Sequence, residues 1–388
     1  MKRKISILLA MLLTLSTFTD VAAAEDAVTK NEEVAEKTGV LELSIEDAIK
    51  LATESDRQMW EIDNGIKQAK DERRQGKNAK EQAEESMSFG TVPTDQYVVA
   101  ILQKNDYYTK LADNKITQLE KSKDVLTKRI EMETKSLYYN VLLAEKKIEI
   151  NQAKLSRADE QLRVVNLKFD NGSATKAEVL NGEMAVQQAK SDLDSEMDDL
   201  DTAKLDLLNR LDLPFDKEIV LTETELAYVP TEKLDLDEAI EKAKSDRPEI
   251  LEAHNKLELQ EIETHANTAY YTSNLWQYKV AVKRLEDAKL DVPQTYKDVE
   301  LDVRKSYLNL VKTERALINI DKTVELAKEA ARVKKLLYEN GMATSFDVLD
   351  ANTSLAESEK VHYELLVNYS LSKFLFDNSN LMGAQASK

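Results

Sequence analysis

The chain has 388 residues, no cysteine and a formal net charge of −18 at pH 7. Charged residues make up 32% of it and aromatic residues 6%, with only 8 Gly and 5 Pro. This composition favours long helices over a compact mixed domain. The lack of cysteine excludes disulfides and a lipid-modified N-terminal cysteine. The acidic balance argues against nucleic acid or anionic lipid headgroups as general partners.

Residues 1–24 have the pattern of a secretory signal peptide. Three basic residues at 2–4 precede an apolar run at 5–18, and three alanines at 22–24 fit a cleavage site. We therefore expect an exported protein whose mature chain begins at Glu25; an uncleaved membrane anchor is the alternative. Residues 25–40 are polar and acidic and are expected to form a flexible lead-in.

Two related segments divide the rest of the chain into tandem copies. Residues 43–49 and 234–240 are similar, and each is followed by Ser-Asp-Arg, at 55–57 and 245–247. Self-similarity of this kind indicates a duplicated structural unit. The predicted organisation is repeat 1 at 41–213, a linker at 214–233, repeat 2 at 234–383 and a tail at 384–388.

One twelve-residue pattern occurs in both copies, at 169–180 and 338–349. An aromatic residue is followed by Asn-Gly, which supplies the left-handed conformation in which many helices end. A threonine, Thr175 or Thr344, can then cap the next helix, with Glu178 or Asp347 at its third position. Each pattern therefore predicts the bend of an antiparallel helical hairpin.

The segments on both sides of the first bend, and the segment before the second bend, carry apolar residues at alternating spacings of four and three. In repeat 1 this seam runs through 137–169 and 179–207, interrupted by Asn151 and Glu196. A period of 3.5 residues is typical of helices that supercoil around neighbours. We expect helices of about 35 residues, roughly 50 Å long. Between the repeats, residues 219–221 are expected to form a short strand.

The duplicated unit and the paired turns resemble the TolC-like outer-membrane efflux protein family. The shared pattern is aromatic-x-x-Gly-x-x-(Ser/Thr)-x-x-(Asp/Glu)-Val-Leu, and residues 338–351 match it best. The resemblance implies a homotrimer whose hairpins form a tapered helical tunnel, with the turns at its closing tip. It also implies a membrane β-barrel at the opposite end, and partners in a membrane-fusion-type adaptor protein and an inner-membrane pump.

One departure from the family concerns the barrel strands. A barrel needs strands of about ten residues with alternating apolar side chains. Repeat 2 has no such stretch, and in repeat 1 only residues 96–102 qualify, which could equally be helical. The expected fold class is thus mainly α: two tandem repeats of long antiparallel hairpins, with vestigial or missing barrel strands. The alternative is that residues 86–102 and 266–278 pair as strands.

The resemblance also assigns roles to residues around the turns. Acidic residues of the family narrow the tunnel tip, and tyrosine, acid and arginine contacts hold it shut; here Ala343 occupies the arginine position. The alternatives are helix capping for Asp347, a solvated side chain for Asp350 and seam packing for Tyr338. The expected constriction residues are Asp347, Asp350 and Glu178; the expected docking turns are Gly172, Ser173, Ala174, Gly341, Met342 and Ala343; the expected tip contacts are Tyr338 and Phe169.

No pattern in the sequence indicates catalysis, a metal site or a cofactor. The three histidines are scattered, and nucleophile-elbow, P-loop and dinucleotide-binding motifs are lacking. The resemblance implies a duct of an efflux or export system. The lack of catalytic motifs predicts that it is not an enzyme, and the acidic charge predicts no nucleic-acid partner. The alternative is a secreted coiled-coil scaffold without channel activity. The expected location is the cell envelope: the outer membrane if a barrel forms, otherwise the cell-wall or extracytoplasmic space.

Overall fold

The computed structural model describes residues 40–231 and 234–383. Nearly all of this belongs to one compact unit, Glu42–Lys388; the preceding unit, Met1–Leu41, contributes only its last two residues to the description. Four parts of the predicted organisation therefore lie wholly or partly outside the described residues. They are the signal peptide, the acidic lead-in except its last residue, the last two residues of the linker, and the tail.

Helices make up most of the described chain, in two similar series. The elements of the first series are β1 (Leu41–Leu43), α1 (Ile45–Glu54), α2 (Arg57–Ser88), a 3₁₀ turn (Thr94–Gln96), α3 (Tyr97–Lys104), α4 (Tyr107–Asp170) and α5 (Lys176–Arg210). The second series comprises β2 (Ile219–Leu221), α6 (Leu236–Asp246), α7 (Pro248–Tyr270), α8 (Trp276–Glu339) and α9 (Ser345–Asp377). This duplication confirms the mainly helical fold class predicted from the sequence.

A hairpin with one long and one shorter arm dominates each series. Helices α4 and α8 have 64 residues each, while α5 and α9 have 35 and 33. At 1.5 Å per residue the long arms span about 96 Å. The expected helix length was therefore right for α5 and α9 and wrong for α4 and α8. The long helices continue because each changes partner part-way along, and α8 runs through Pro293 without ending.

The hairpins lie side by side in the order α5, α4, α9, α8, with α4 against α9 at the centre. The first part of α4 packs on α2, where Lys115 pairs with Glu72 and Lys123 with Asp63. The first part of α8 packs on α7, and the hydroxyl of Thr264 donates to the carbonyl of Ala281 across 3.0 Å. Each long helix thus joins two helical hairpins end to end.

Two tyrosines fasten the connecting segments to the hairpins, one from the middle of α4 and one from the last part of α9. Strands β1 and β2 pair, with the amide of Thr222 donating to the carbonyl of Leu43. The buried hydroxyl of Tyr138, on α4, donates to the same carbonyl across 3.0 Å. In the second copy, the Tyr369 hydroxyl donates to the carbonyl of Val229 across 2.7 Å. The expected strand at 219–221 is confirmed, and its pairing with 41–43 was not anticipated.

The two stretches in which longer strands were sought are helical or turn-like. Residues 86–102 contain the end of α2, the 3₁₀ turn and most of α3, while residues 266–278 contain the end of α7 and the start of α8. The alternative in which these stretches pair as strands is therefore wrong. They do meet: the rings of Tyr97 and Tyr270 lie 5.7 Å apart.

A buried polar layer interrupts the seam of α4, as the sequence indicated. Asn151 is fully buried, and its amide nitrogen donates to Glu196 of α5 across 3.3 Å. Lys360 of α9 also donates to Glu196, across 2.7 Å. Because a mispaired register would leave these groups without partners, the layer fixes the alignment of the three helices.

Candidate functional site at the hairpin turns

The first turn closes α4 and opens α5 as the sequence predicted. Gly172 has φ of +71°, the left-handed conformation that glycine adopts without strain. The amide of Ser173 donates to the carbonyl of Lys168 across 2.8 Å, the bond of a Schellman ending. Thr175 and Glu178 then form a reciprocal capping box at the start of α5.

The second turn repeats this geometry and adds an ion pair. Gly341 has φ of +74°, and Thr344 and Asp347 form the capping box of α9. Lys334 of α8 donates to Asp347 across 3.0 Å. Hydrogen bonds from the Thr344 hydroxyl and amide, followed by the one from Lys334, hold the pKa of Asp347 far below its ordinary range. Asp347 is therefore ionised at neutral pH, and its carboxylate is engaged in the cap.

A small apolar cluster, the tip cluster, joins the two turns. Its buried members are Val165, Val179, Tyr338 and Val348, with Val164, Ala174 and Ala343 packed around them. Next to it, the side-chain amide of Gln161 on α4 donates to the hydroxyl of Ser345 on α9 across 3.0 Å. The two predicted turns therefore form one continuous surface within a single chain.

Lys168 reaches across from the first hairpin to the second. Its ammonium donates to the carbonyl of Tyr338 across 2.8 Å and lies 3.6 Å from the centroid of the Tyr338 ring. A cation in this position is attracted by the face of the ring. Sequence reasoning missed this contact, because only the folded hairpins bring the two residues together.

The other predicted tip contacts are only partly brought together. Burial, then the nearby charge of Glu178, raises the pKa of Tyr338, but the Tyr338 hydroxyl has no hydrogen-bond partner in the described chain. Glu178 is engaged in its own helix cap, and Phe169 is 40% exposed and outside the tip cluster. Asp350 is exposed and forms no ion pair with any described residue.

Apolar side chains project from both turns. Met342 and Phe346 beside the second turn are 69% and 68% exposed, and Leu180 and Met184 beyond the first are 48% and 70% exposed. Exposed apolar residues grouped in this way, with Phe169 among them, are typical of surfaces that contact another protein. Gly172 and Gly341 belong to the same two turns, and a Cβ added at either would meet nothing within 4 Å.

The described helices lack membrane-spanning character, and the described side chains lack a metal-binding cluster. Across residues 40–231 and 234–383, no helix combines the length and the apolar character needed to cross a bilayer. In the same ranges, no group of three or more histidine or carboxylate side chains is arranged to hold a metal ion.

Comparison by sequence finds no matching family model and no matching curated protein. Comparison of structures does find matches. A membrane protein from Pseudomonas aeruginosa is 13% identical with a TM-score of 0.65, over 90% of this chain and 92% of that one. CusC, whose structures concern transmembrane channel formation, is 12% identical with a TM-score of 0.63, over 90% and 96%. The open state of the Neisseria gonorrhoeae MtrE outer membrane channel is 14% identical with a TM-score of 0.61, over 87% and 89%.

The chain has a TolC-like fold. The predicted resemblance is thereby confirmed at the level of architecture, since the match extends over almost the whole of each chain. In the TolC-like fold of this protein, both capped turns meet at the tip cluster, and α5 and α8 are the outer helices of the paired hairpins.

Proposed function

We propose that the chain is the duct component of an efflux or export system in the cell envelope. Three copies form the helical tunnel, and the turns dock an adaptor connected to an inner-membrane pump. The observation that carries this proposal concerns α5 and α8, the two outer helices of the hairpin pair. Their exposed sides carry apolar residues and charges of opposite sign, within a TolC-like fold.

The exposed side of α8 carries a straight row of apolar residues, here called its outer line, together with basic residues. With successive residues 100° apart around the helix axis, five apolar residues that are 38–71% exposed lie within about 20° of one line parallel to the axis: Leu290, Leu301, Leu308, Leu326 and Val333. Exposed Lys312, Arg315 and Lys322 lie along the same side. An exposed apolar line of this length on a long helix calls for a packing partner.

The outer line of α5 is apolar near the turn and acidic beyond it. Leu180, Met184 and Leu205 are 45–70% exposed. Asp194 and Asp198 are exposed between them, on the side of α5 opposite its buried seam. The outer line of α5 is therefore opposite in charge to that of α8.

The opposite charges also match in their distance from the turns. The number of residues from the first turn to Asp194 is nearly the same as the number from Lys322 to the second turn. Asp198 and Arg315 match in the same way, one helical turn or two farther out. None of these four forms an ion pair with another described residue of its own chain. Placing α5 of one copy against α8 of the next therefore pairs them, and such head-to-tail contacts close into a ring.

The exposed apolar surface at the turns supports the docking role. With all turns at one level in a ring, Met342 and Phe346 of each copy face away from the tip cluster and remain available. An adaptor with an apolar helical tip fits such a surface through helix-in-groove contacts. Gly172 and Gly341 leave the approach unobstructed, since nothing lies within 4 Å of either missing Cβ.

The proposed ring also gives the acidic tip residues a role. Glu178, Asp347 and Asp350 would be repeated around the axis, and rings of carboxylates favour cations and repel anions. Because the Asp347 carboxylate accepts bonds from Thr344 and Lys334, Asp350 is the residue we propose as the main constriction charge.

Disulfide cross-linking tests the ring, because the natural chain has no cysteine to interfere. The double variant Asp194→Cys/Lys322→Cys should form covalent oligomers that end at three copies when oxidised. Each single variant should give at most dimers. The matched control Asp194→Cys/Leu290→Cys places the second thiol much nearer the start of α8, far from the turn, and should not cross-link. Equal cross-linking of the two pairs would contradict the proposed contact.

A further inference from the structure

A cavity of about 220 Å³ lies between α4, α8 and α9, beside the tip cluster. Helix α4 contributes Arg157 and Gln161, α8 contributes Lys335 and Tyr338, and α9 contributes Leu355 among others. The cavity plays no part in the ring or the docking surface proposed above. Arg157 and Tyr338 nevertheless have buried polar atoms without a hydrogen-bond partner among the described residues, which is unusual for buried groups.

Arg157 is the main unpaired group. Its Nε and Nη2 atoms are buried and have no hydrogen-bond partner among the described residues. These two nitrogens form one edge of the guanidinium, the edge that binds a carboxylate through two parallel hydrogen bonds. Burial lowers the pKa of Arg157, and the charge of Glu359 opposes that shift. Glu359 is itself paired with Lys328, at 3.5 Å.

The charges around the cavity leave an excess of positive charge. Glu160 is engaged by Arg163 through two bonds of 2.8 Å. Arg332 is engaged by Glu329 in the same manner, at 2.8 and 2.7 Å. Among the lining residues this leaves Arg157 and Lys335 against the exposed Glu339, because Lys335 forms no ion pair in the described chain.

Tyr338 adds a second unpaired polar group to the wall. Its side chain is only 4% exposed, and its hydroxyl has no partner in the described ranges. The apolar part of the wall is formed by Val164, Ala331, Val348 and Leu355, and the side chains of Gln161 and Asn352 also line the cavity. The cavity therefore combines a cationic end with apolar sides and a hydroxyl donor.

We propose that this cavity binds a small organic carboxylate, with its carboxylate on the Nε and Nη2 edge of Arg157 and its apolar body against Val348 and Leu355. The size is suitable, since a cavity of about 150 Å³ accommodates benzene. A ring with one carboxylate, such as benzoate, is the simplest ligand with this chemistry. A bare oxyanion would leave the apolar walls uncovered, and an acidic side chain of another protein would fill little of the volume.

Titration calorimetry with sodium benzoate tests the site in the full mature chain. The wild-type protein should show saturable binding. The variant Arg157→Gln should bind at least about tenfold more weakly, because a hydrogen bond to a charged group contributes about 1.5–3 kcal/mol. Arg157→Lys keeps the charge without the paired nitrogens and should fall between the two. Arg129→Gln, an exposed arginine of the same helix, should bind like the wild type.

Benzamide and inorganic phosphate complete the test. Benzamide has the same ring without the charge, and phosphate has the charge without the ring; both should bind at least about tenfold more weakly than benzoate. Thermal unfolding provides a second measurement. Benzoate should raise the midpoint temperature of unfolding of the wild type and leave that of Arg157→Gln unchanged. Without ligand, Arg157→Gln should unfold at the same or a higher temperature, since it removes a buried unpaired charge.

Several results would overturn the proposal. They are a lack of saturable benzoate binding, equal binding by wild type and Arg157→Gln, and equal binding of benzoate and benzamide. Binding of an acidic peptide through Arg157, with no binding of benzoate, would show that the partner is a protein instead. The titration needs neither an adaptor nor a membrane, so its failure is separate from failure of the proposed duct.

Discussion

Reversing one charge on the outer line of α8 should weaken the ring. Lys322 is exposed and forms no ion pair with another described residue of its own chain, so Lys322→Glu should leave the fold of the single chain unchanged. In the ring it faces Asp194 of the next copy, and the change turns an attraction into a repulsion. Exposed pairs contribute about 0.2–1 kcal/mol, so the reversal costs about 1 kcal/mol per interface.

The effect is multiplied by the symmetry of the ring. A closed ring of three copies has three equal interfaces, so the total cost is about 3 kcal/mol, or roughly a hundredfold in the assembly constant. Sedimentation velocity over a dilution series at low salt measures this shift. In about 1 M salt the Debye length falls to about 3 Å, and most of the shift should disappear.

Two further variants make the result specific. The double variant Asp194→Lys/Lys322→Glu restores opposite charges and should recover most of the lost assembly. Lys289→Glu is also an exposed reversal on α8, but it lies near the other end of the helix and off the outer line; it should have little effect. If Lys322→Glu and Lys289→Glu weaken assembly equally, or if the double variant is worse than both single variants, the proposed pairing is wrong.

Three other predictions concern packing and the turns. Gly76→Ala should lower the free energy of unfolding by about 1–2 kcal/mol in urea denaturation, because the new Cβ would lie 2.8 Å from the Thr109 amide nitrogen; the matched Gly65→Ala meets only a leucine side chain and should be neutral or stabilising. Gly341→Ala should cost about 1–2 kcal/mol through its left-handed backbone, and Gly341→Asn less, by the same assay. The hydrogen bonds that lower the pKa of Asp347 stabilise the second turn at pH values above the unfolded pKa of about 3.9, and this stabilisation is lost only as pH falls further. The protection factors of the amides in the first turn of α9, in which the intrinsic pH dependence of exchange is divided out, should therefore fall below about pH 4 and stay constant between pH 7 and 5.

The turns could be predicted from the sequence because their determinants are local. Asn-Gly followed by Thr-x-x-acid specifies a helix ending and a capping box within one short stretch, and both copies fold as that pattern indicates. The seam of α5 was readable for a similar reason, since α5 packs mainly along one partner, α4. Contacts between consecutive helices of a hairpin follow directly from such a seam.

The full length of α4 and α8 could not be read in the same way. Each buries one side against α2 or α7 and then another against α5 or α9, so a single heptad seam describes only part of it. The pairing of β1 with β2 joins residues far apart in the chain, through strands of three residues, too short for a reliable alternating pattern.

The contacts between the two hairpins could not be predicted from the sequence either. The position of Lys168 over the Tyr338 ring and the unpaired edge of Arg157 depend on how α4 lies against α8 and α9. In the sequence alone, each of these side chains is one charged or aromatic residue among many on a helix. Their roles emerge only when the packing partners are known.

The solution mass of the purified chain is the most direct test of the proposed duct. The full chain has a mass of 44.0 kDa, and sedimentation equilibrium should give three times the single-chain mass that mass spectrometry measures for the same sample. The exposed apolar lines of α5 and α8 would then be covered by neighbouring copies. A single-chain mass at tens of micromolar protein, with the helical content intact, would contradict the ring and with it the proposed tunnel.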